Sequence, residues 1–263
     1  MLHDGRCGCG LSVRDCPVWS RVSARLRGID VADAARLQRE VVTERRLPRM
    51  LIGGRLTASW SALARFSSIM ERVYEAIAEV TGAEIIVDSS KRPSYAALVL
   101  GLDNVDPYFV QLTRDPRASA HSWKHRRHES VHEGREVTRR EALDSTLRWD
   151  LLNAGAEAVM HRAGPHRAIR IRYEDFVSAP RAVVDQTLEL VGARASQSPF
   201  TGDRTVELAP THTLAGNPSR FAAGSIELHD REDWRRELAA GDAMTASVVA
   251  LPFLRRYGYP FRP

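Results

Sequence analysis

The chain carries a cation and a hydroxyl group at a spacing that suits phosphate binding. In "LTRDPRASAHSW" (112–123), Arg114 directly follows an apolar run and Ser122 stands eight residues later. Asp115 and Pro116 are typical of a helix start, where backbone N–H groups add to the forked donors of a guanidinium. We therefore predict that Arg114 and Ser122 bind a terminal phosphate. The simpler alternative is that Arg114 pairs with Asp115 or with a carbonyl at the edge of the sheet.

A second polar loop, "SSKRPS" (89–94), follows the apolar run "EIIVD" (84–88). Only Lys91 and Lys124 are lysines among the 38 lysine and arginine residues. An ammonium group is a compact donor for an oxygen atom that gains charge during a reaction, and Ser90 stands beside it. Lys91 and Ser90 could serve such a reaction, and the alternative for Lys91 is a solvent-exposed loop lysine.

Three cysteines near the start of the chain are possible metal ligands. With His3 they give the pattern H-x3-C-x-C-x6-C, formed by Cys7, Cys9 and Cys16. Structural zinc sites usually separate paired cysteines by two to four residues, so this spacing favours reduced thiols in a loop, and we expect no metal. An odd number of cysteines without an export signal also argues against a disulfide framework.

Four histidines recur at intervals of four, three and four residues, on one face of the helix that carries Ser122: His121, His125, His128 and His132. Such a face can bind a transition metal or respond to pH. Glu129 and Glu133 beside it favour a solvated face instead.

The composition is that of a globular protein, with 43% apolar and 27% charged residues in a chain of 263. No apolar run is long enough for a membrane span, and the start lacks the pattern of a signal peptide, so we expect a cytoplasmic protein. A net charge of +5 favours anionic partners. The rival class is a nucleic-acid-binding protein, but only Trp123 interrupts the basic segments as a base-stacking candidate. A nucleotide kinase would need G-x4-G-K-[ST], which does not occur.

Hydrophobic periodicity predicts a helix-rich α/β fold. Helices are predicted at 17–48 with breaks, 59–81, 95–102, from 115 onward, 139–163, 180–191, 231–238 and 244–258. Short apolar runs predict strands at 84–88, 108–113 and 168–173. Successive strand–loop–helix units imply parallel strands flanked by helices. Helix 139–163 carries its apolar residues on one face: Leu143, Leu147, Leu151, Ala154 and Ala158.

Ligands of parallel α/β sheets bind where the loops leave the carboxyl ends of the strands. Four polar segments are expected to converge there, namely 88–93, 114–122, 173–175 and 217–220.

The motifs "DSSKRP", "LTRDPRASAHSW", "IRYEDFVSAP" and "HTLAGNPSRF" resemble, in order and approximate spacing, those of bacterial sulfotransferases that use 3′-phosphoadenosine 5′-phosphosulfate (PAPS). The resemblance covers about residues 84–225. It implies a P-loop-NTPase-like parallel sheet, with Arg114 and Ser122 on the 3′-phosphate and Tyr173 beside the adenine. It also implies that Lys91 is a catalytic residue that contacts the sulfuryl group, with Ser90 beside it, and that Arg220, with Asn217, closes over the nucleotide. The alternative for Asn217 is an ordinary turn.

The resemblance implies one domain over 1–263, with a mainly helical part (1–82), an α/β nucleotide-binding part (83–225) and C-terminal helices (226–263). The expected activity is transfer of a sulfuryl group from PAPS to a hydroxyl or amine of a small-molecule, carbohydrate or lipid acceptor. Asp88 and Glu174 are candidates for the general base. The alternative is a non-catalytic protein that binds nucleotides or nucleic acid.

In the family, a 5′-phosphosulfate loop and a first strand come before the segments that match here. We expect that the true start lies upstream of Met1; the alternative is a truncated and inactive relative.

Overall fold

Two compact units make up the chain in a computed structural model that describes residues 5–124, 141–195, 197–216, 218–230 and 232–261. The first unit comprises Met1–Pro107, His161–Ala163 and Ala209–Ala223. The second unit comprises Tyr108–Met160, Gly164–Leu208 and Gly224–Pro263.

The described part of the first unit is mainly helical, as the sequence predicts. Its helices are α1 (Pro17–Arg25), α2 (Val31–Val41), α3 (Leu47–Ile52), α4 (Arg55–Ala58), α5 (Ser61–Thr81) and α6 (Pro93–Leu100). Phe66 and Met70 of α5 pack against Leu37 of α2 and Leu98 of α6 in the core of this unit. Gly82 ends α5 in the left-handed conformation, with φ at 68°, which a residue without a Cβ atom adopts freely.

The second unit holds the predicted parallel strands. It contains β1 (Phe109–Thr113), α7 (Pro116–Lys124), α8 (Ala142–Ala163, whose last turn belongs to the first unit), β2 (Ala168–Arg172), α9 (Tyr173–Ser178), α10 (Pro180–Leu190), β3 (Thr205–Leu208), β4 (Gly224–Glu227), α11 (Trp234–Glu237), α12 (Ala240–Val249) and α13 (Leu251–Tyr257). Strands β1 and β2 pair in parallel from Phe109 with Ala168 to Thr113 with Arg172. The prediction of a helix-rich α/β fold with parallel strands flanked by helices is confirmed.

The predicted strand 84–88 is wrong. Residues 84–88 lie in irregular backbone, and Val87 is 86% exposed. A strand needs a partner for its N–H and C=O groups, and no pairing with this segment occurs among the described residues. An apolar run fixes the residue types of a strand but not the neighbour that stabilises it.

The apolar face predicted for α8 is exposed. Leu143, Leu147 and Leu151 are 51%, 53% and 60% exposed. The buried residues of α8 are small or short: Ala142, Ser145, Thr146, Gly155 and Val159. Small side chains allow α7 and α12 to approach closely, as the contact of Ala142 with Ala120 and Ala246 shows.

Two features of the second unit were not predicted. Strands β3 and β4 pair antiparallel from a region without a periodic signal. The predicted helix 244–258 is divided at Ala250, because Pro252 lies in the first turn of α13 and proline is tolerated there rather than within a helix. Among the described residues, no helix has both the length and the apolar character to cross a bilayer.

Candidate functional site

Arg114 and Tyr173 meet at the carboxyl ends of the parallel strands. Arg114 follows the last residue of β1, and Tyr173 follows the last residue of β2. The guanidinium of Arg114 lies 4.7 Å from the centre of the Tyr173 ring. The Tyr173 hydroxyl donates to the carbonyl of His229 at 3.5 Å, a distance at the limit of a hydrogen bond. The structure thus brings together two of the residues predicted to bind the nucleotide.

Asp115 is held at the start of α7 by a buried ion pair with Arg117. The Arg117 side chain is fully buried and donates through Nε and Nη2 to the two carboxylate oxygens of Asp115, at 2.9 and 2.6 Å. Asp115 also accepts from the backbone N–H of Arg117, as expected of a helix cap. The remaining Arg117 donors contact the carbonyls of Pro260 and Phe261. Asp115 is therefore occupied by Arg117, a partner that the sequence did not suggest.

A small cleft opens beside this turn. It is lined by Arg114, Asp115, Arg172, Glu174, Asp230, Glu232, Trp234, Arg235, Tyr259 and Pro260. The Arg172 guanidinium lies 4.5 Å from the centre of the Tyr259 ring. The lining combines three arginines with four carboxylates and two aromatic rings, so the cleft as a whole carries no excess of positive charge.

Glu174 fixes the shape of the cleft. One carboxylate oxygen accepts from the backbone N–H of Asp115 at 3.1 Å, and the other accepts from the Tyr259 hydroxyl at 2.9 Å. Burial raises the pKa of Tyr259, so this hydroxyl stays protonated and remains a donor. Glu174 therefore connects the turn after β1 with the C-terminal segment that contains Tyr259, and both of its oxygens are used in doing so.

Ser122 is exposed on α7, about 9 Å along the helix axis from Pro116. The cations and histidines near it are engaged with acidic groups. Lys124 donates to Asp242 at 2.6 Å, which raises the pKa of the lysine. His121 lies 3.1 Å from Glu237. The other members of the predicted histidine face, His125, His128 and His132, lie outside the described residues.

Lys91 and Ser90 lie in the first unit, in a loop held at both ends by carboxylates. Asp88 accepts from the Tyr74 hydroxyl at 2.7 Å and from the backbone N–H of Ser90 at 2.8 Å. The Ser90 hydroxyl also donates to Asp88. After the loop, Glu44 accepts from Arg92 Nε at 2.9 Å and from the backbone N–H of Ser94 at 3.1 Å.

Between these anchors, Lys91 has a φ of 63° and an exposed side chain. Among the described residues it is the one non-glycine with a positive φ. Such strain is found often at functional sites, where the surrounding structure enforces it.

Arg220 also lies in the first unit, in a short 3-10 turn (Pro218–Phe221). It donates to the carbonyl of Gly216 at 2.7 Å, and its guanidinium lies 4.4 Å from the centre of the Phe221 ring. Asn217, its predicted companion, lies outside the described residues.

The three cysteines come together, but their fourth neighbour is not the predicted one. His3 lies outside the described residues, and His212 takes the corresponding place: the potential ligand atoms of Cys7, Cys9, Cys16 and His212 all lie within 4.8 Å of one another. His212 is 196 residues from Cys16 in sequence and stands in a segment without periodicity, so no local signal could have pointed to it.

Several cleft residues were not predicted from the sequence, and Arg172 and Tyr259 illustrate why. Arg172 is the last residue of β2, so its position at a carboxyl strand end is the signal that could have identified it. Tyr259 follows the last helix and reaches the cleft through tertiary contacts alone, and no sequence pattern marks it.

The comparisons with known proteins agree with these observations. The model of the sulfotransferase family matches residues 19–197, which is more than half of the chain. The chain therefore belongs to the sulfotransferase family, and the resemblance of its motifs is confirmed at that level. The matched range includes Lys91, Arg114, Ser122 and Tyr173 and ends before Arg220.

No curated protein matches the sequence. Among solved structures, the chain is similar to a sulfotransferase domain from the curacin biosynthetic pathway, at 17% identity and a TM-score of 0.47. That similarity covers 91% of this chain and 84% of the other.

Proposed function

We propose that this protein transfers a sulfuryl group from PAPS to a hydroxyl or amine acceptor. The observation that carries the proposal is the contact between Arg114 and Tyr173 at the carboxyl ends of two parallel strands, in a chain that belongs to the sulfotransferase family. This is the position at which parallel α/β sheets bind nucleotides.

In the proposed complex, Arg114 and Ser122 bind the 3′-phosphate, and Tyr173 lies beside the adenine. The guanidinium supplies forked donors to the phosphate oxygens, and the Ser122 hydroxyl supplies a further donor from the exposed side of α7. Arg220, together with Asn217, closes over the nucleotide. The buried pair of Asp115 and Arg117 does not contact the nucleotide but holds the turn from which Arg114 projects.

The reaction is an in-line substitution at sulfur. The acceptor oxygen or nitrogen forms a bond to sulfur while the bond between sulfur and the bridging phosphate oxygen breaks, and the acceptor proton passes to a base. Negative charge grows on the bridging oxygen of the departing 3′-phosphoadenosine 5′-phosphate (PAP). The Lys91 ammonium stabilises that charge, and Ser90 adds a hydroxyl beside it.

The two candidates for the general base differ in their surroundings. Both carboxylates accept hydrogen bonds through both oxygens, but Glu174 is half-buried and links two segments of the cleft wall, which favours a positioning role. Asp88 is exposed and lies three residues before Lys91, so we propose Asp88 as the base. Its bonds from Tyr74 and Ser90 orient the carboxylate. The acceptor remains a small molecule, a carbohydrate or a lipid with a hydroxyl or amine group.

The test is calorimetric titration of the protein with PAP and with 5′-AMP, which lacks the 3′-phosphate. We expect tight binding of PAP, weak binding of 5′-AMP, and an Arg114→Ala variant that loses about a hundredfold in affinity for PAP but little for 5′-AMP. Arg148→Ala removes an exposed arginine of α8 in the same unit and serves as the control. Equal affinity of the wild-type protein for PAP and 5′-AMP would contradict the proposal.

A further inference from the structure

A cluster of soft ligand atoms lies in the first unit, in a set of residues that the proposed reaction does not use. It consists of the Sγ atoms of Cys7, Cys9 and Cys16 and the Nδ1 atom of His212. Cys7 and Cys16 are fully buried, Cys9 is half-buried and His212 is exposed. We propose that these four side chains bind one Zn²⁺ ion in a closed structural site.

The distances between the ligand atoms are those of a zinc tetrahedron. The Sγ atoms of Cys7 and Cys16 are 3.6 Å apart, and His212 Nδ1 lies 3.7 Å from the first and 3.2 Å from the second. With Zn–S bonds of about 2.3 Å and a Zn–N bond of about 2.05 Å, tetrahedral geometry sets S···S at about 3.8 Å and S···N at about 3.5 Å. Cys7, Cys16 and His212 are thus spaced for a shared ion, and the Cys9 Sγ atom, within 4.8 Å of all three, is close enough to be the fourth ligand.

The ligand types select zinc over other occupants. Three thiols and one imidazole form one of the usual sets of structural zinc sites, whereas magnesium and calcium require oxygen ligands. A disulfide requires sulfur atoms about 2.05 Å apart, and all three cysteines are free. When zinc binds, the three thiols release their protons to the solvent. With four protein ligands, the ion has no open coordination position for catalysis.

The backbone of the N-terminal loop presents the cysteines. Cys7 donates its N–H to the carbonyl of Leu11, and Gly10 donates to the carbonyl of Cys7, which folds Cys7 and Cys9 into a tight turn. Gly10 has a φ of 86°, which this turn requires. Cys16 lies at the N-cap of α1, and its N–H donates to the carbonyl of Ser12.

The histidine is held against this loop by contacts that are independent of any ion. The Gly8 N–H donates to the carbonyl of Thr213 at 2.9 Å, and the Trp19 indole donates to the carbonyl of His212 at 2.6 Å. A Cβ atom at Gly8 would lie 2.7 Å from the carbonyl oxygen of Thr211, so only glycine permits this approach. Two backbone segments that are remote in sequence are thus held where His212 can complete the ligand set.

The proposed ion ties the segment Ala209–Ala223 to the N-terminal loop of the same unit. This segment carries Arg220, whose carbonyl oxygen also faces Gly8. Under the proposed function, Arg220 closes over the nucleotide. The zinc site would then fix the position of the segment that carries Arg220. The presence of the zinc site itself does not depend on the reaction.

The first experiment measures zinc in the full chain, purified under reducing conditions from zinc-supplemented cells, by inductively coupled plasma mass spectrometry. We expect one zinc per chain and three thiols that react with a disulfide reagent only after a chelator removes the metal. Cobalt substitution is expected to give the intense visible bands of a tetrahedral thiolate site. A zinc content near zero, together with no uptake after reconstitution with ZnCl₂, would overturn the proposal.

The second experiment tests the ligands with variants at the less buried positions, so that folding is retained. Cys9→Ser and His212→Gln are expected to lose about a hundredfold in zinc affinity, with circular dichroism spectra like that of the wild type. His166→Gln, at an exposed histidine, is the matched control and should keep one zinc. Undiminished zinc affinity in His212→Gln, or a Cys7–Cys16 disulfide in place of metal, would refute the assignment. A zinc-loaded protein that fails to bind PAP would refute the proposed function and leave the zinc site intact.

Discussion

Lys91 combines a strained backbone with the position of the candidate catalytic group. A φ of 63° costs an ordinary residue about 1–2 kcal/mol relative to right-handed backbone, and glycine avoids this cost. Selection for stability alone would favour glycine here, so the retained lysine points to a role for its side chain.

Replacing Lys91 separates its chemical role from its structural cost. We expect Lys91→Gly to keep or raise the free energy of unfolding, by up to about 1 kcal/mol, because strain is relieved while the unfolded chain gains entropy. Turnover, measured as release of PAP from PAPS, should fall by about a hundredfold or more. Lys91→Ala removes the ammonium without relieving the strain and serves as the control. Unchanged turnover in both variants would remove Lys91 from the mechanism.

Asp150 is a half-buried carboxylate of α8 outside the proposed site. Burial raises its pKa to about 6, and its Oδ1 atom has no hydrogen-bond partner among the described residues. Because the folded-state pKa lies above the ordinary value of 3.8, the folded protein holds the proton more tightly than the unfolded chain. The contribution to stability is therefore present below about pH 4 and is lost as the pH rises through about 6.

Removing this charge should stabilise the protein in a pH-dependent way. We expect Asp150→Asn to raise the melting temperature at about pH 7.5 and to change it little at about pH 3, where Asp150 is mostly neutral in both the folded and the unfolded state. Asp185→Asn, at an exposed aspartate of α10, is the control and should show a small difference without this pH trend. A gain from Asp150→Asn that is equal at both pH values would show that burial of charge is not the cause.

At the scale of elements, the sequence predicts structure well where the signal is local. Strands β1 and β2 follow from short apolar runs, and α7 follows from the Asp-Pro start, which the bond from the Arg117 N–H to Asp115 confirms. The segment 84–88 shows the limit, because its apolar residues cannot supply a neighbouring strand. The candidate sites show the same contrast between local signals and tertiary contacts. Arg114 could be predicted from its position after β1, whereas His212 reaches the cysteines only through tertiary contacts.

Helix α8 provides a test of which side is packed. The leucine face is exposed, while Val159 is 1% exposed, so substitutions on the two sides should differ in cost. We expect Leu147→Gln to change the free energy of unfolding by less than about 0.5 kcal/mol and Val159→Ala to lower it by about 2 kcal/mol. Urea denaturation measures both. A large loss from Leu147→Gln would show that the leucine face is covered in solution.

At the scale of the whole molecule, much of the positive charge of the described residues is paired with negative charge. The net charge is only +5, and many described cations lie beside carboxylates: Arg25 with Glu79, Arg36 and Arg65 with Asp33, Arg92 with Glu44, Lys124 with Asp242, and Arg170 with Glu157. Each such pair contributes little to stability, but it cancels the local field that a phosphate backbone would need. Trp123, the aromatic residue nearest the basic segment, is half-buried on α7.

This distribution predicts a preference for one small nucleotide over polymers. At a concentration of about a hundred times its dissociation constant, PAP should stabilise the fold by about 2.7 kcal/mol and raise the melting temperature by about 5 °C or more. ATP lacks the 3′-phosphate that Arg114 and Ser122 are proposed to bind, and the ion pairs described above weaken the attraction of their cations for duplex DNA. Both ligands should therefore give much smaller shifts at physiological salt. Thermal-shift titrations of the same preparation with all three ligands make the comparison. Stabilisation by DNA that equals that of PAP and falls steeply with salt would instead support a nucleic-acid-binding protein, because release of counterions from the phosphate backbone produces that dependence.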